Sequence, residues 1–102
     1  MERIAVSSNT RDENSEVSEV SGRAPYYLIF ENGKLVKVLK NPFRIGGGGA
    51  GFGVAEMLSE ENVDMAVSEN FGHNMKSALD ERNIKYFETK GKIKDVLKEV
   101  EK

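Results

Sequence analysis

Tyr26-Tyr27-Leu28-Ile29-Phe30-Glu31-Asn32-Gly33-Lys34-Leu35-Val36-Lys37-Val38-Leu39 decides the fold. Two runs of β-formers, Tyr26 to Glu31 and Leu35 to Leu39, flank Asn32-Gly33, a pair that tolerates positive φ and therefore closes a tight hairpin. Pro25 and Pro42 bracket the hairpin, as suits residues that cannot donate to a central ladder. Working outward, Arg3 to Ser7 reads as a short buried strand, and the polar Ser8 to Val20 segment carries no helical period. Downstream the pattern alternates. A helix is predicted from about Gly53 to Glu61, with Val54, Met57 and Leu58 on one face and Asn62 as its stop; a strand follows over Val63 to Ser68. A second helix covers about His73 to Arg82, closed by Asn83, and Ile84 to Phe87 is the last strand. Ile93, Val96, Leu97 and Val100 then recur at helical spacing after Gly91.

A meander followed by alternating units predicts an α/β fold with one mixed five-stranded sheet and three helices. Numbering the strands β1 (Arg3–Ser7), β2 (Tyr26–Glu31), β3 (Leu35–Leu39), β4 (Val63–Ser68) and β5 (Ile84–Phe87), the expected order is 3-2-1-4-5. In it β1, β2 and β3 run antiparallel, and β4 and β5 run parallel to β1 through right-handed crossovers. The carboxyl ends of β1, β3, β4 and β5 then share one edge, where ligands of open α/β sheets usually bind.

The 102 residues suit a single domain over 1–102 with one modest core. A formal net charge of -2 leaves no basic footprint for nucleic acid. With no cysteine, disulfides, thiolate nucleophiles and all-thiolate metal sites are excluded together. No apolar run approaches membrane-spanning length and the first residues read as strand, so a cytoplasmic protein without a membrane partner is expected. Heavy Lys and Glu use fits a heat-adapted source. Lys34, Lys37 and Lys40 on the β3 edge discourage strand pairing and favour a monomer.

Six of the ten glycines lie in Gly46-Gly47-Gly48-Gly49-Ala50-Gly51-Phe52-Gly53, just before the first helix. Such a run brings main-chain N–H groups close to a ligand, and a helix N-terminus beside it favours an anion; the same run is equally readable as a plain connecting loop. Its G-x-G-x-x-G match follows a hairpin strand, not the first strand of a βαβ unit, and no Gly-Lys-Ser/Thr ends it, which argues against dinucleotide and P-loop folds. His73, the only histidine, opens the second helix beside Asn70 and Asn74 on the ligand edge. It is a surface residue or a metal ligand, and in the second case Glu69, Glu19 or the ligand itself must complete the set. Arg23, entering β2, either clamps an anion or ties down the long loop through Glu16 or Glu19. A two-metal nuclease is excluded, because β1 carries no carboxylate and Asp64 lies at the wrong end of β4. Ser7, Ser8 and Ser68 have one histidine to share and no evidence of a triad.

Ile4-Ala5-Val6-Ser7-Ser8, the segment Val17-Ser18-Glu19-Val20-Ser21-Gly22-Arg23-Ala24-Pro25-Tyr26-Tyr27-Leu28-Ile29, the Gly-Gly-Ala-Gly stretch and Val63-Asp64-Met65-Ala66-Val67-Ser68-Glu69-Asn70-Phe71-Gly72 together resemble the dinitrogenase iron–molybdenum cofactor biosynthesis family. The resemblance implies a ribonuclease H-like three-layer fold without the catalytic carboxylates. It implies a non-enzymatic carrier that transiently holds an iron–sulfur or iron–molybdenum type cluster, or its precursor, and meets cluster donor or acceptor proteins. Many members have His-Phe where this chain has Val20-Ser21, and a proline is common at the place of His73, so His73 becomes the candidate metal ligand. Lys92 stands where a Ser or Thr often caps the third helix. The cofactor-binding set expected on this basis is Arg23, Gly47, Gly48, Gly49, Gly51, Asn70 and His73. A pocket for a small anion or nucleotide with regulatory output, and a protein-interaction module docking through Gly46–Gly53, are the alternatives.

Overall fold

The computed structural model describes residues 2–19, 21–42 and 50–100. Its elements are β1 (Arg3–Ser8), β2 (Tyr26–Glu31), β3 (Lys34–Lys40), α1 (Ala50–Glu60), β4 (Met65–Ser68), α2 (His73–Glu81), β5 (Lys85–Glu88) and α3 (Ile93–Val100). They form one sheet in the order 3-2-1-4-5, as the sequence pattern predicts. Strand β2 is antiparallel to both β1 and β3, whereas β4 is parallel to β1 and to β5. The turn residues explain the hairpin: Asn32 and Gly33 both take positive φ, 52° and 77°.

Alternation along the strands divides the core between two faces. Ala5, Tyr27, Ile29 and Ala66 pack with Val54, Ala55 and Leu58 of α1 and Met75, Ala78 and Leu79 of α2. Ile4, Val6, Leu28, Phe30 and Val67 pack with Ile93, Val96 and Leu97 of α3 on the other. The result is three layers, with two helices on one side of the sheet and one on the other. In β3, Ile29 pairs with Lys37 but Phe30 with Leu35, so Val36 is an extra residue. This bulge lets Leu35 and Val38, three apart, pack on the α3 face, and it blunts the outer strand that the lysines already guard.

Asn62 and Asn83 close their helices as anticipated, each with φ 58°. In both cases the closure is a Schellman motif: Asn62 N–H bonds Ser59 O at 3.0 Å and Val63 N–H bonds Leu58 O at 3.1 Å, while Asn83 and Ile84 repeat the pattern onto Asp80 and Leu79. Val63 and Ile84, expected as the first residues of β4 and β5, therefore belong to helix endings. Their side chains fall back into the same cluster as Leu58 and Leu79.

A second correction concerns α1, which begins at Ala50 and not near Gly53. Glycine is a poor helix former, but Val54, Ala55 and Leu58 are all fully buried, and that packing carries the helix backward through Gly53 and Gly51. The long loop after β1 is also more ordered than its polarity suggests. Ser8 bridges Val17 and Glu16 bridges Lys92, so Glu16 and Val17 are extended, whereas Ser15 closes a turn onto the carbonyl of Asp12 at 3.0 Å. The carbonyl of Ser15 accepts the N–H of Ile93 at 3.1 Å, giving the N-terminus of α3 a partner where Lys92 has no capping hydroxyl.

Candidate functional site

Because β1, β3, β4 and β5 point the same way, their carboxyl ends and the starts of α1, α2 and α3 meet at one edge of the sheet. The floor of that edge is neutral and hydroxylic. Ser7 ends the inward row of β1 and Ser68 ends that of β4, and both are fully buried. Ser7 Oγ donates to Ser68 Oγ at 2.8 Å, and Ser68 Oγ donates to the carbonyl of Ser18 at 3.2 Å. Nearby, Ser21 N–H bonds Asn70 O at 3.2 Å and Ser21 Oγ lies 3.1 Å from Met75 Sδ, which fixes the approach to β2 against the first turn of α2. The phenol of Tyr27 donates to Ser21 O; burial pushes its pKa far above the ordinary value, so it remains a neutral donor.

Above this floor the side chains are charged and exposed. Asn9, Ser18, Glu19 and Arg23 line a shallow hollow of about 270 Å³. Ser18 Oγ donates to Asn9 Oδ1 at 3.1 Å, which sets one wall. Next to it, α2 starts at His73 behind Gly72, whose extended backbone (φ -66°, ψ 158°) gives no side-chain cap. A Cβ on Gly72 would meet nothing within 4 Å, so there is room at the cap position of this N-terminus. The turn before it is held from the far side: Phe71 N–H donates to Glu88 Oε2 at 3.0 Å, and Lys76 Nζ is 3.5 Å from the same oxygen. These contacts, the Phe71 N–H foremost, lower the pKa of Glu88 below the ordinary carboxylate value.

Of the residues singled out from sequence, the structure brings Arg23, Asn70 and His73 to this edge, each exposed. Gly51 is the second residue of α1, inside the helix and not in a loop before it; its N–H still belongs to the first turn, where no intrahelical partner exists. Gly47, Gly48 and Gly49 lie outside the described residues. Among the described residues no three His, Asp or Glu side chains gather as a metal site, so Glu19 and Glu69 do not form a triple with His73. What sequence reasoning missed is the serine floor. Its one signal is that two apolar strands, Ile4-Ala5-Val6-Ser7 and Met65-Ala66-Val67-Ser68, end in the same small hydroxyl.

A family model described as dinitrogenase iron-molybdenum cofactor matches residues 2–102. The chain belongs to that family. Solved structures agree on the fold. The apo form of the orange protein from Desulfovibrio gigas superposes with a TM-score of 0.91 at 20% identity, over 98% of this chain and 87% of that one. The solution structure of a putative NifB protein from Thermotoga gives 0.83 at 25% identity, over 99% and 88%. No protein of curated function matches the chain. Among the described residues no helix is long and apolar enough to cross a membrane.

Proposed function

We propose that the protein is a non-enzymatic carrier that transiently holds an iron–sulfur-type metallocluster or its precursor at the carboxyl edge of the sheet. The observation that carries this reading is the placement of three residues at one edge in a chain of this family: His73 opens the uncapped α2, Asn70 takes the N–H of Ser21, and Arg23 follows Ser21 by two residues and lines the adjoining hollow. Clusters of this kind are anionic, and a helix N-terminus with a guanidinium nearby offers both N–H donors and positive charge. His73 is the one side chain there able to ligate a metal through nitrogen. With no cysteine in the chain, most of the cluster's coordination stays with its own sulfides or with a partner protein, which suits a carrier that must also release. The exposure of all three residues suits hand-over to cluster donor or acceptor proteins.

The test is anaerobic incubation of the purified protein with ferrous iron and sulfide, followed by desalting and measurement of iron, sulfide and visible charge-transfer absorption. Iron and sulfide should co-elute with the protein, and His73→Ala should lower both signals. A wild-type protein that retains no iron sinks the reading. The bare N-terminus of α2 also favours a second reading, a small-anion site. In that case inorganic phosphate alone, without metal, raises the melting temperature.

A further inference from the structure

In open α/β sheets the ligand usually enters the crevice beyond the carboxyl ends of parallel strands. Here that place, beyond β1 and β4, is filled by the chain itself. The Ser18 carbonyl sits over the ends of both strands and takes two donors, Ser68 Oγ at 3.2 Å and Glu69 N–H at 3.1 Å, while Ser7 Oγ, whose proton goes to Ser68, stands 3.4 Å away as an alternative donor. Ser18 N–H returns a bond of 2.9 Å to Ser7 O, and Val17 N–H one of 2.9 Å to Gly91 O. On one side Val17 is buried among the residues that pack with α3; on the other Ser21 is buried against Met75 and Tyr27. A segment anchored in both halves of the core and bonded at successive peptide groups is a fixed part of the floor.

We infer that residues 16–19 form a built-in strap occupying the ligand crevice of the sheet, held by Ser7 and Ser68 as positioning residues, so that any ligand of this edge is met on the strap's outer side. The hydroxyls form a relay, Ser7 to Ser68 to the Ser18 carbonyl, and such a chain strengthens each of its members. Through Ser18 the relay sets Asn9, bonded to Ser18 Oγ, and the neighbouring Glu19, which with Arg23 line the hollow. A strap in this place also limits what can bind. The hollow left outside it, about 270 Å³, is smaller than the roughly 300–1,000 Å³ of pockets that engulf small molecules. A surface-held ligand shared with another protein fits it better than an enclosed nucleotide. The part of this inference that concerns a ligand rests on the carrier function; the strap does not.

Ser7→Ala, Ser68→Ala and the double variant test it, read by amide hydrogen exchange at Ser18 and Glu69 beside iron and sulfide retained after anaerobic incubation with ferrous iron and sulfide. Each single variant leaves one hydroxyl able to reach the Ser18 carbonyl, so roughly threefold faster exchange is expected; the double variant removes both, and about tenfold or more is expected. Iron retention should fall several-fold in the double variant at a temperature where it remains folded. Unchanged exchange in the double variant overturns the strap's dependence on the serines. Faster exchange with unchanged iron overturns the positioning role, and faster exchange with more iron retained makes the strap a lid, which also overturns it. Should the double variant not fold, Ser68→Ala alone decides through the Glu69 amide, where an unchanged rate refutes the inference. A wild type that retains no iron removes the carrier function, and the exchange measurements still decide the strap.

Discussion

The two edges of the sheet are built from different chemistry. At the amino end of β1, charge is paired: Arg3 bonds Glu31 and, through Nε at 2.9 Å, the carbonyl of Glu61, while Lys37 Nζ lies 2.8 Å from the Glu61 carboxylate. The main-chain N–H of Arg3 donates to Asp64 at 2.8 Å, so the carboxylate that a nuclease would need at the other end serves here as a strand clamp. Two Schellman closures with their buried Val63 and Ile84 complete this edge. At the carboxyl end the buried polar groups are neutral, serines together with Asn41, whose amide bonds the Gly22 and Ala24 carbonyls, and Arg23, Glu19 and His73 stand exposed above them. One edge fastens β1, β2, β3 and α1 together; the other keeps its charge where a ligand can reach it. Stability and function should therefore separate under mutation.

The sharpest separation comes from Arg3→Met. It removes a hub whose side chain is about a quarter exposed and strips hydrogen bonds from Glu31 and the Glu61 carbonyl; a loss of roughly 2 kcal/mol is expected from bonds to a charged group, less solvent screening. Urea denaturation measures it, and iron retention per folded molecule should be unchanged. A variant that stays stable but loses iron would reverse the assignment of the two edges. Slightly smaller is Asn83→Val, which forces a β-branched residue into φ 58°. The left-handed penalty of about 1–2 kcal/mol should appear in the denaturation midpoint, while Asn83→Gly stays within a few tenths of the parent.

Gly72→Asp probes the opposite edge. The backbone at Gly72 is extended and the space beside it empty, so a carboxylate there would cap α2. A gain of a few tenths of a kcal/mol is expected from the cap and the helix dipole. The same carboxylate occupies the place proposed for an anion, so iron and sulfide retention should fall as stability rises. A stabilised Gly72→Asp protein with undiminished retention would move the ligand away from α2.

The contrast between the edges was only half legible in the sequence. Asn32-Gly33, Asn62 and Asn83 are local signals, each needing a positive φ for reasons contained within a few residues, and with them the element order and sheet order follow. The start of α1 was not legible, because propensity at Gly51 and Gly53 points to loop while the helix is held by Val54, Ala55 and Leu58 in the core. The same holds for Val63 and Ile84, which look like strand until the helix carbonyls that take their N–H groups are in place. At the site, Arg23, Asn70 and His73 could be gathered from topology alone. The serine floor left only the shared terminal hydroxyl of two apolar strands: Ser7 and Ser68 are 61 residues apart, and that pattern alone does not distinguish a buried serine that meets a loop carbonyl from one facing water.

The smallest expected effect concerns Glu88, which ties the end of β5 to the turn that presents His73. Its pKa is lowered from the ordinary 4.5, first by the Phe71 N–H and then by Lys76. A carboxylate with a depressed folded pKa adds stability that is complete above its unfolded value and fades as pH falls through the folded one. Glu88→Gln should therefore lower the melting temperature slightly at neutral pH, and the difference from the parent should close as the pH drops below about 4.5. Because the side chain is exposed, salt should narrow the part due to Lys76 and leave the Phe71 hydrogen bond. If the parent and Glu88→Gln curves remain parallel from neutral pH down to pH of roughly 3, the turn is held by packing of Phe71 on Tyr86, whose rings lie 5.6 Å apart, and the carboxylate is incidental to how the edge presents His73.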